Sequence, residues 1–211
     1  ESGDPEAGLT QLRQVLRETR AEGMHHVAGR AYVNLPSALQ SVGRDREAVP
    51  LLREGIDFCR AHGLLDSGAW MWGNLSEALY SLGQWQEAAE AAAHATRVGH
   101  GAMPRGAGAL LMAHLALARG DLAEAARHLA AARAWYGTHD PMPQQSLPVA
   151  RIVLGVAAAE GRIADARAAL LPALDAGFPP GTHRYGWPLL LAAATAEADA
   201  RTLPAARPGR A

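Results

Sequence analysis

A short motif occurs four times in this chain: a glycine, three variable residues, an acidic residue and an alanine. Its glycines are Gly43, Gly83, Gly120 and Gly161, and they lie 40, 37 and 41 residues apart. A repeat with a period in this range is typical of stacked helical hairpins. Such stacks offer extended surfaces, because each repeat contacts mainly its neighbours. The motif therefore predicts an all-α array of about four or five hairpins and favours a binding role.

Apolar residues at helical spacing lie on both sides of each motif glycine. Before Gly83, Trp72, Leu75 and Leu79 recur at a spacing that places them on one helical face. The glycine is expected to end this first helix, because it adopts a left-handed backbone conformation without strain. Ala88 then lies on the second helix, where a small side chain allows a close crossing. The acidic residue before it lies in the first turn of that helix, where negative charge suits the helix dipole.

Two further helices are predicted outside the four motifs. A helix that begins at Pro5 is expected to continue to about Gly23, since proline is well placed in a first helical turn. A last helix is expected from Tyr185 or Trp187 to Ala200. The sequence thus predicts one helical element on each side of the repeats.

The predicted domain organisation is one repeat domain followed by a short tail. Residues 1–200 form the helical repeat domain, and residues 201–211, rich in proline, alanine and arginine, are expected to be a linker. Two longer proline-rich connections, 137–148 and 177–188, are expected to shape the surface of the domain. The chain begins without methionine, and both of its ends resemble cuts from a longer protein.

Composition excludes several function classes. The net charge is −1, so no basic excess is present to bind nucleic acid directly. All twenty basic residues are arginine, which excludes a phosphate-loop lysine or a Schiff-base lysine within this chain. The single cysteine, Cys59, allows no internal disulfide, and no apolar run is long enough to span a bilayer. A cytoplasmic protein without membrane contact is the expectation.

Two segments resemble the tetratricopeptide repeat (TPR). The closer match runs from Trp72 to Ala88. The second runs from Tyr32 to Ala48 and departs from the family pattern at Pro36 and Asp45. The matching positions of the closer segment are Trp72, Asn74, Leu75, Ser76, Ala78, Leu79, Gly83, Trp85, Glu87 and Ala88. The resemblance implies a right-handed superhelix of TPR-like hairpins, an α-solenoid, with hairpins longer than the family's usual length of about 34 residues.

A narrower resemblance covers most of the chain. Residues 30–35, 54–57, 73–79 and 177–188 look like the helical-repeat region of large actinobacterial LuxR-type transcriptional regulators. As a family, those regulators also carry an upstream nucleotide-binding ATPase module and a C-terminal helix-turn-helix, and neither is present here. The resemblance implies a segment that contacts the adjacent ATPase and DNA-binding modules of a full-length protein.

The TPR resemblance also implies a groove lined by the first helix of each hairpin. Carried over residue by residue, the candidate groove consists of Arg30, Val33, Ser37, Gln40, Trp70, Gly73, Glu77, Tyr80, Leu110, His114, Leu117 and Arg151. This mixture of arginine, histidine and aromatic side chains suits a peptide or protein ligand held by stacking and charge-assisted hydrogen bonds. The alternative is that a neighbouring domain, or nothing, covers the groove.

No catalytic, metal or cofactor site is predicted. The acids Glu47, Glu87, Glu124 and Asp165 recur once per hairpin at one helical position, which favours a structural role. The nine histidines show no zinc-ligand spacing. Cys59 is expected to be a buried, inert thiol.

The sequence therefore predicts a non-catalytic interaction or sensor segment of a bacterial LuxR-type transcriptional regulator. Three alternatives remain open. One is a self-contained peptide-binding TPR receptor or adaptor. The second is a helical enzyme, which requires polar groups that converge in a pocket. The third is homo-oligomerisation through the alanine-rich helices.

Overall fold

The computed structural model describes residues 4–98, 102–137 and 142–202. Within these ranges the chain is all-α, with ten helices and no strand, which confirms the all-α part of the predicted fold class. The helices are α1 Pro5–Ala21, α2 His25–Ser41, α3 Asp45–Ala61, α4 Leu65–Ser81, α5 Trp85–Val98, α6 Ala102–Ala118, α7 Leu122–Tyr136, α8 Pro143–Ala159, α9 Ile163–Ala176 and α10 His183–Thr202. No helix in the described ranges is long and apolar enough to cross a membrane.

The motif glycines end helices as the sequence predicts. Gly43 has a φ of 76°, and its N–H donates to the carbonyl of Gln40 at 3.0 Å. The next N–H, of Arg44, donates to the carbonyl of Leu39 at 2.9 Å. This pair of bonds is the Schellman arrangement, which satisfies the last carbonyls of a helix. The other three motif glycines also have positive φ and the same two bonds.

Two glycines outside the motif form turns of the same conformation. Gly23 and Gly63 have φ values of 69° and 68° and connect α1 to α2 and α3 to α4. The motif does not detect them because Val27 and Ser67 stand where the acid is expected. Each of the first four helices therefore has 17 residues and is followed by an equally short turn. The repeating unit is one helix and one turn, and a hairpin is two such units.

The array is curved, with the even-numbered helices on the concave face. Each helix packs against the next along the chain, and α2, α4, α6, α8 and α10 also pack against one another in order. Among the described residues, no two odd-numbered helices make such a contact. Even-numbered helices are therefore closer together than odd-numbered ones, and this difference bends the array. The bend is sufficient for α10 to contact α2.

Small residues allow the close helix crossings. Ala48, Ala88, Ala125 and Ala166, the alanines of the motif, are all buried. Gly55 of α3 shows how close the crossings are: a Cβ atom added there would lie 2.9 Å from Cβ of Tyr32 and would also overlap Met71. The four motif alanines are buried where helices cross, which explains why each motif has a small residue after its acid.

The flanking helices differ slightly from the predicted bounds. α1 begins at Pro5 as predicted, with the N–H of Glu6 donating to the side chain of Asp4 at 3.0 Å. α10 begins at His183, before the predicted start, and continues through Thr202, two residues into the predicted linker. Residues 203–211 of that linker lie outside the described residues.

Candidate functional site

The candidate groove residues all lie on the even-numbered helices, which form the concave side of the array. α2 carries four, α4 four, α6 three and α8 one. Trp70, Arg30 and Ser37 are exposed, with 42% of Trp70 accessible. These three residues form the open half of the concave face, over α2 and the start of α4.

Three of the candidates lie in contacts between helices, and a fourth packs against the core. Gln40 is buried, and its side-chain Nε2 donates to the backbone carbonyl of Asn74 at 2.9 Å, which joins α2 to α4. Gly73 is buried against α6, where an added Cβ would lie 3.9 Å from Ala107. Leu117 packs over Gly155 of α8. Val33 is half-buried against the core of the first hairpins.

The other five candidates converge on one cavity, which we call the central pocket. Its volume is about 110 Å³. Glu77 and Tyr80 from α4, Leu110 and His114 from α6, and Arg151 from α8 line it. Residues that are 74 positions apart in sequence thus face the same space, because α4, α6 and α8 are neighbours on the concave face.

The start of α10 closes the central pocket, and sequence reasoning did not find its residues. Arg184, Tyr185 and Pro188 line the pocket opposite α4 and α6. The Arg184 guanidinium donates to the Glu77 carboxylate at 2.7 Å across 107 residues of sequence. The two side chains are 14% and 30% exposed, so the ion pair is partly shielded from water. The one sequence signal was the proline-rich connection 177–188, which leads into α10.

Burial perturbs the acid–base groups around this ion pair. Burial raises the pKa of Asp45, and the positive charge of Arg184 opposes that shift. One carboxylate oxygen of Asp45 and the side-chain oxygen of Gln40 are buried without a hydrogen-bond partner in the described part of the chain. Burial raises the pKa of Tyr185 to about 12, with a smaller contribution from the charge of Glu77. The tyrosine hydroxyl therefore stays protonated at neutral pH.

His114 is the most perturbed group in the pocket. Only 8% of the residue is exposed, and burial, together with the nearby charge of Arg151, lowers its pKa to about 3. The imidazole is therefore neutral at pH 7. Its ring lies 6.0 Å from the ring of Tyr80, centroid to centroid. Within residues 4–98, 102–137 and 142–202, neither His114 nor Arg151 makes a hydrogen bond or an ion pair with another side chain.

A second, larger cavity lies among α7, α8 and α9. Its volume is about 610 Å³, and its lining is mainly apolar, with Tyr136, Val149 and Val153 on its walls. Pro143, the first residue of α8, and Pro179, which precedes α10, also line it. The predicted connection 137–148 is thus helical from Pro143 onwards. Among the described residues, Arg133 is the one charged side chain of this lining.

The recurring acids of the motif form ion pairs with arginines. The pairs are Glu47 with Arg44 and Arg13, Glu87 with Arg53, Glu124 with Arg127, and Asp165 with Arg162. The Arg53–Glu87 pair, at 2.6 Å, bridges α3 and α5, which have no packing contact of their own. These pairs agree with a structural role for the acids.

Two further sequence-level interpretations concern cysteine and metals. Cys59 is buried, and burial raises the pKa of its thiol to about 11. The thiol is therefore protonated at neutral pH, which fits the expected inert role. Among the described residues there is no group of three or more histidine, cysteine or acidic side chains that could hold a metal ion.

Comparison of the chain with protein-family models, with curated proteins and with solved structures gave no match. Function is therefore inferred from the residues of the chain itself.

Proposed function

We propose that this chain is a non-catalytic binding segment, built as a TPR-like right-handed superhelix, that receives a peptide, protein or small ligand on its concave face. The observation that carries the proposal is the convergence of four helices on the central pocket, with His114 and Arg151 left unbonded there by the described residues. A few polar groups that are free to bind, placed in a mainly apolar pocket, are characteristic of ligand sites.

The open half of the concave face supports a peptide or protein partner. Trp70 offers an exposed indole, and Arg30 lies on the adjacent helix α2. Tryptophan and arginine are the residues that most often dominate binding energy in interfaces. A ligand in this position contacts α2 and α4 directly and reaches α10 through the Arg184–Glu77 pair.

The resemblance to LuxR-type regulators gives this binding a regulatory role. Ligand binding that favours one packing of the helices shifts the equilibrium of whatever modules the array contacts. We propose that these are an adjacent ATPase module and a DNA-binding module, with no direct nucleic-acid contact by this segment. The exposed edge of α10, at Trp187 and Leu191, is the surface proposed for a neighbouring module or a second copy of the chain.

A self-contained peptide-binding receptor or adaptor is the second candidate. It is favoured by the return of α10 to α2 and α4, since the chain then closes its own concave face. The complete reading frame separates the two candidates: flanking ATPase and helix-turn-helix modules support the first, and their absence supports the second.

A random peptide library displayed on phage tests the peptide-binding role. Selected peptides are expected to bind the chain and to lose about tenfold or more in affinity with Arg30→Ala combined with Trp70→Ala, as expected for hot-spot residues. The matched control is Arg60→Ala with Trp135→Ala, which removes the same residue types from α3 and α7. The proposal is contradicted if both double variants lose peptide affinity equally, or if the Arg30→Ala, Trp70→Ala variant loses none.

A further inference from the structure

The central pocket is small, and its volume limits the size of the group that enters it. Its volume of about 110 Å³ is below that of a cavity that admits benzene, which is roughly 150 Å³. It therefore accommodates a group of a few heavy atoms. Leu110, Leu111 and Pro148 give it apolar walls, so a charged group is held there against a hydrophobic surface.

His114 supplies a hydrogen-bonding group that the protein does not use. The residue is more than nine-tenths buried, lines the pocket and makes no hydrogen bond to any described residue. A polar group at a pocket wall that the protein leaves without a hydrogen bond is available to a ligand. A neutral imidazole has one N–H donor and one acceptor nitrogen, so it is able to donate to a ligand in the pocket.

Arg151 supplies a positive charge that is also unpaired. Its guanidinium is half-buried at the same pocket, and no acidic side chain of the described residues pairs with it. Arg184, the other arginine of the pocket, already binds Glu77. Arg184 thus has two acids beside it, Glu77 and Asp45, while Arg151 has none in the described part of the chain. A monoanion pairs with Arg151, whereas a dianion such as phosphate is repelled more strongly by Glu77 and Asp45.

We propose that the central pocket binds the carboxylate of a small aliphatic acid. Arg151 forms the ion pair with the carboxylate, since the planar guanidinium matches carboxylate geometry. His114 donates a hydrogen bond to the same group, and Leu110 and Pro148 contact the short aliphatic end. This inference rests on the proposed binding function and names the ligand class of its pocket. The carboxylate has two possible sources, a free acid or the C-terminus of a peptide.

Titration of the chain with propionate tests the proposal, followed by amide proton and nitrogen chemical shifts in solution NMR. Propionate is expected to give saturable shifts for residues of α6 and α8 around the pocket, while propionamide, its neutral analogue of the same shape, binds at least about tenfold more weakly. A tripeptide with a free C-terminus and its C-terminally amidated form distinguish the two sources. Dependence on the free carboxylate in either arm supports the proposal.

Variants locate the binding. Arg151→Gln is expected to weaken carboxylate binding by about tenfold or more, while Arg119→Gln, an exposed change in the turn after α6, leaves it unchanged. His114→Phe, which keeps a ring in the pocket, is expected to weaken binding as well. Unfolding curves show whether each variant is folded. If His114→Phe does not fold, Arg151→Gln still tests the proposal, because Arg151 is only half-buried.

Three results overturn the inference: equal binding of acid and amide in both the propionate and the tripeptide arm, stronger binding of inorganic phosphate than of any carboxylate, or equal effects of Arg151→Gln and Arg119→Gln. A failure here is distinct from a failure of the peptide-binding role, because the phage-display test depends on Arg30 and Trp70 of the open half and not on the pocket.

Discussion

At the scale of the residue, His114 is a proposed ligand group whose burial also affects stability. Its ring lies 6.0 Å from the Tyr80 ring, is influenced by the charge of Arg151 and lines the central pocket. The chain keeps a polar group there at the expense of stability, since a leucine of similar size would pack without a desolvation penalty. Such a trade is common where a site must bind something.

The pH dependence of unfolding tests the buried state of His114. Its pKa in the folded chain is about 3, below the ordinary value near 6.5. The unfolded chain therefore binds the proton more readily, and stability falls as pH decreases from about 6.5 towards 3, by at most about 1.4 kcal/mol per pH unit. His114→Leu is expected to flatten this slope. Urea unfolding in a carboxylate-free buffer from pH 7 to pH 4 measures it, and parallel curves for the two proteins contradict the prediction.

At the scale of elements, the glycine turns set the length of every helix in the first half of the array. Gly23, Gly43, Gly63 and Gly83 all end helices in the left-handed conformation. Four helices of equal length joined by equal turns keep their crossing points in register. The positions of Ala48 and Ala88 at these crossings depend on that register.

Replacing a turn glycine is expected to lower the stability of the fold, whereas replacing an exposed glycine within a helix is not. Gly43→Ala places a side chain at a φ of 76° and is expected to destabilise the fold by about 1–2 kcal/mol. The matched control is Gly8→Ala in α1, where an added Cβ meets nothing within 4 Å. That control is expected to stabilise the chain by up to about 1 kcal/mol, since it lowers the entropy of the unfolded state. Thermal unfolding compares them, and equal shifts for both variants contradict the role of the turn.

The sequence predicted those elements whose signal is local. The motif located four turns because glycine, acid and alanine occur together, and it missed Gly23 and Gly63 because Val27 and Ser67 replace the acid. The all-α class followed from the period of the motif and from the helical spacing of apolar residues around it. The ends of these helices could also be predicted, because a helix cap depends on a few adjacent residues.

The contribution of α10 to the central pocket could not be predicted from the sequence. No spacing rule connects Arg184 to Glu77, since their contact depends on the curvature accumulated over the intervening helices. The TPR resemblance implied that Glu77, Tyr80 and His114 face a groove, but it treated that groove as open. It also grouped Gln40 with the ligand-facing residues, whereas a buried amide at that position bonds to the α4 backbone.

At the scale of the whole molecule, the Arg184–Glu77 pair joins two distant parts of the array. It fastens the start of α10 to α4, and α10 also contacts α2. This arrangement makes the curvature of the array depend on a contact between its last helix and its early ones. Whether the concave face is open or closed is therefore a property of the complete chain.

A charge reversal tests this closure. Arg184→Glu places two carboxylates together and is expected to cost about 1–3 kcal/mol in urea unfolding, since Glu77 loses a partner while partly shielded from water. Small-angle scattering is expected to show a larger radius of gyration. Adding Glu77→Arg to the same chain restores the pair with opposite polarity and is expected to recover both quantities.

The matched control for the reversal is Arg60→Glu, which breaks an exposed ion pair with Asp57 on α3 and is expected to change little. A radius of gyration that is unchanged by Arg184→Glu, or a double variant that recovers neither quantity, contradicts the closure.

The unequal packing of the two faces has a mechanical consequence. The even-numbered helices touch one another through buried side chains, while pairs such as Arg20–Glu54 and Arg53–Glu87 span the gaps between odd-numbered helices. We therefore expect the side of the even-numbered helices to be the stiffer one. Bending of the array is then expected to widen or narrow the gaps between the odd-numbered helices.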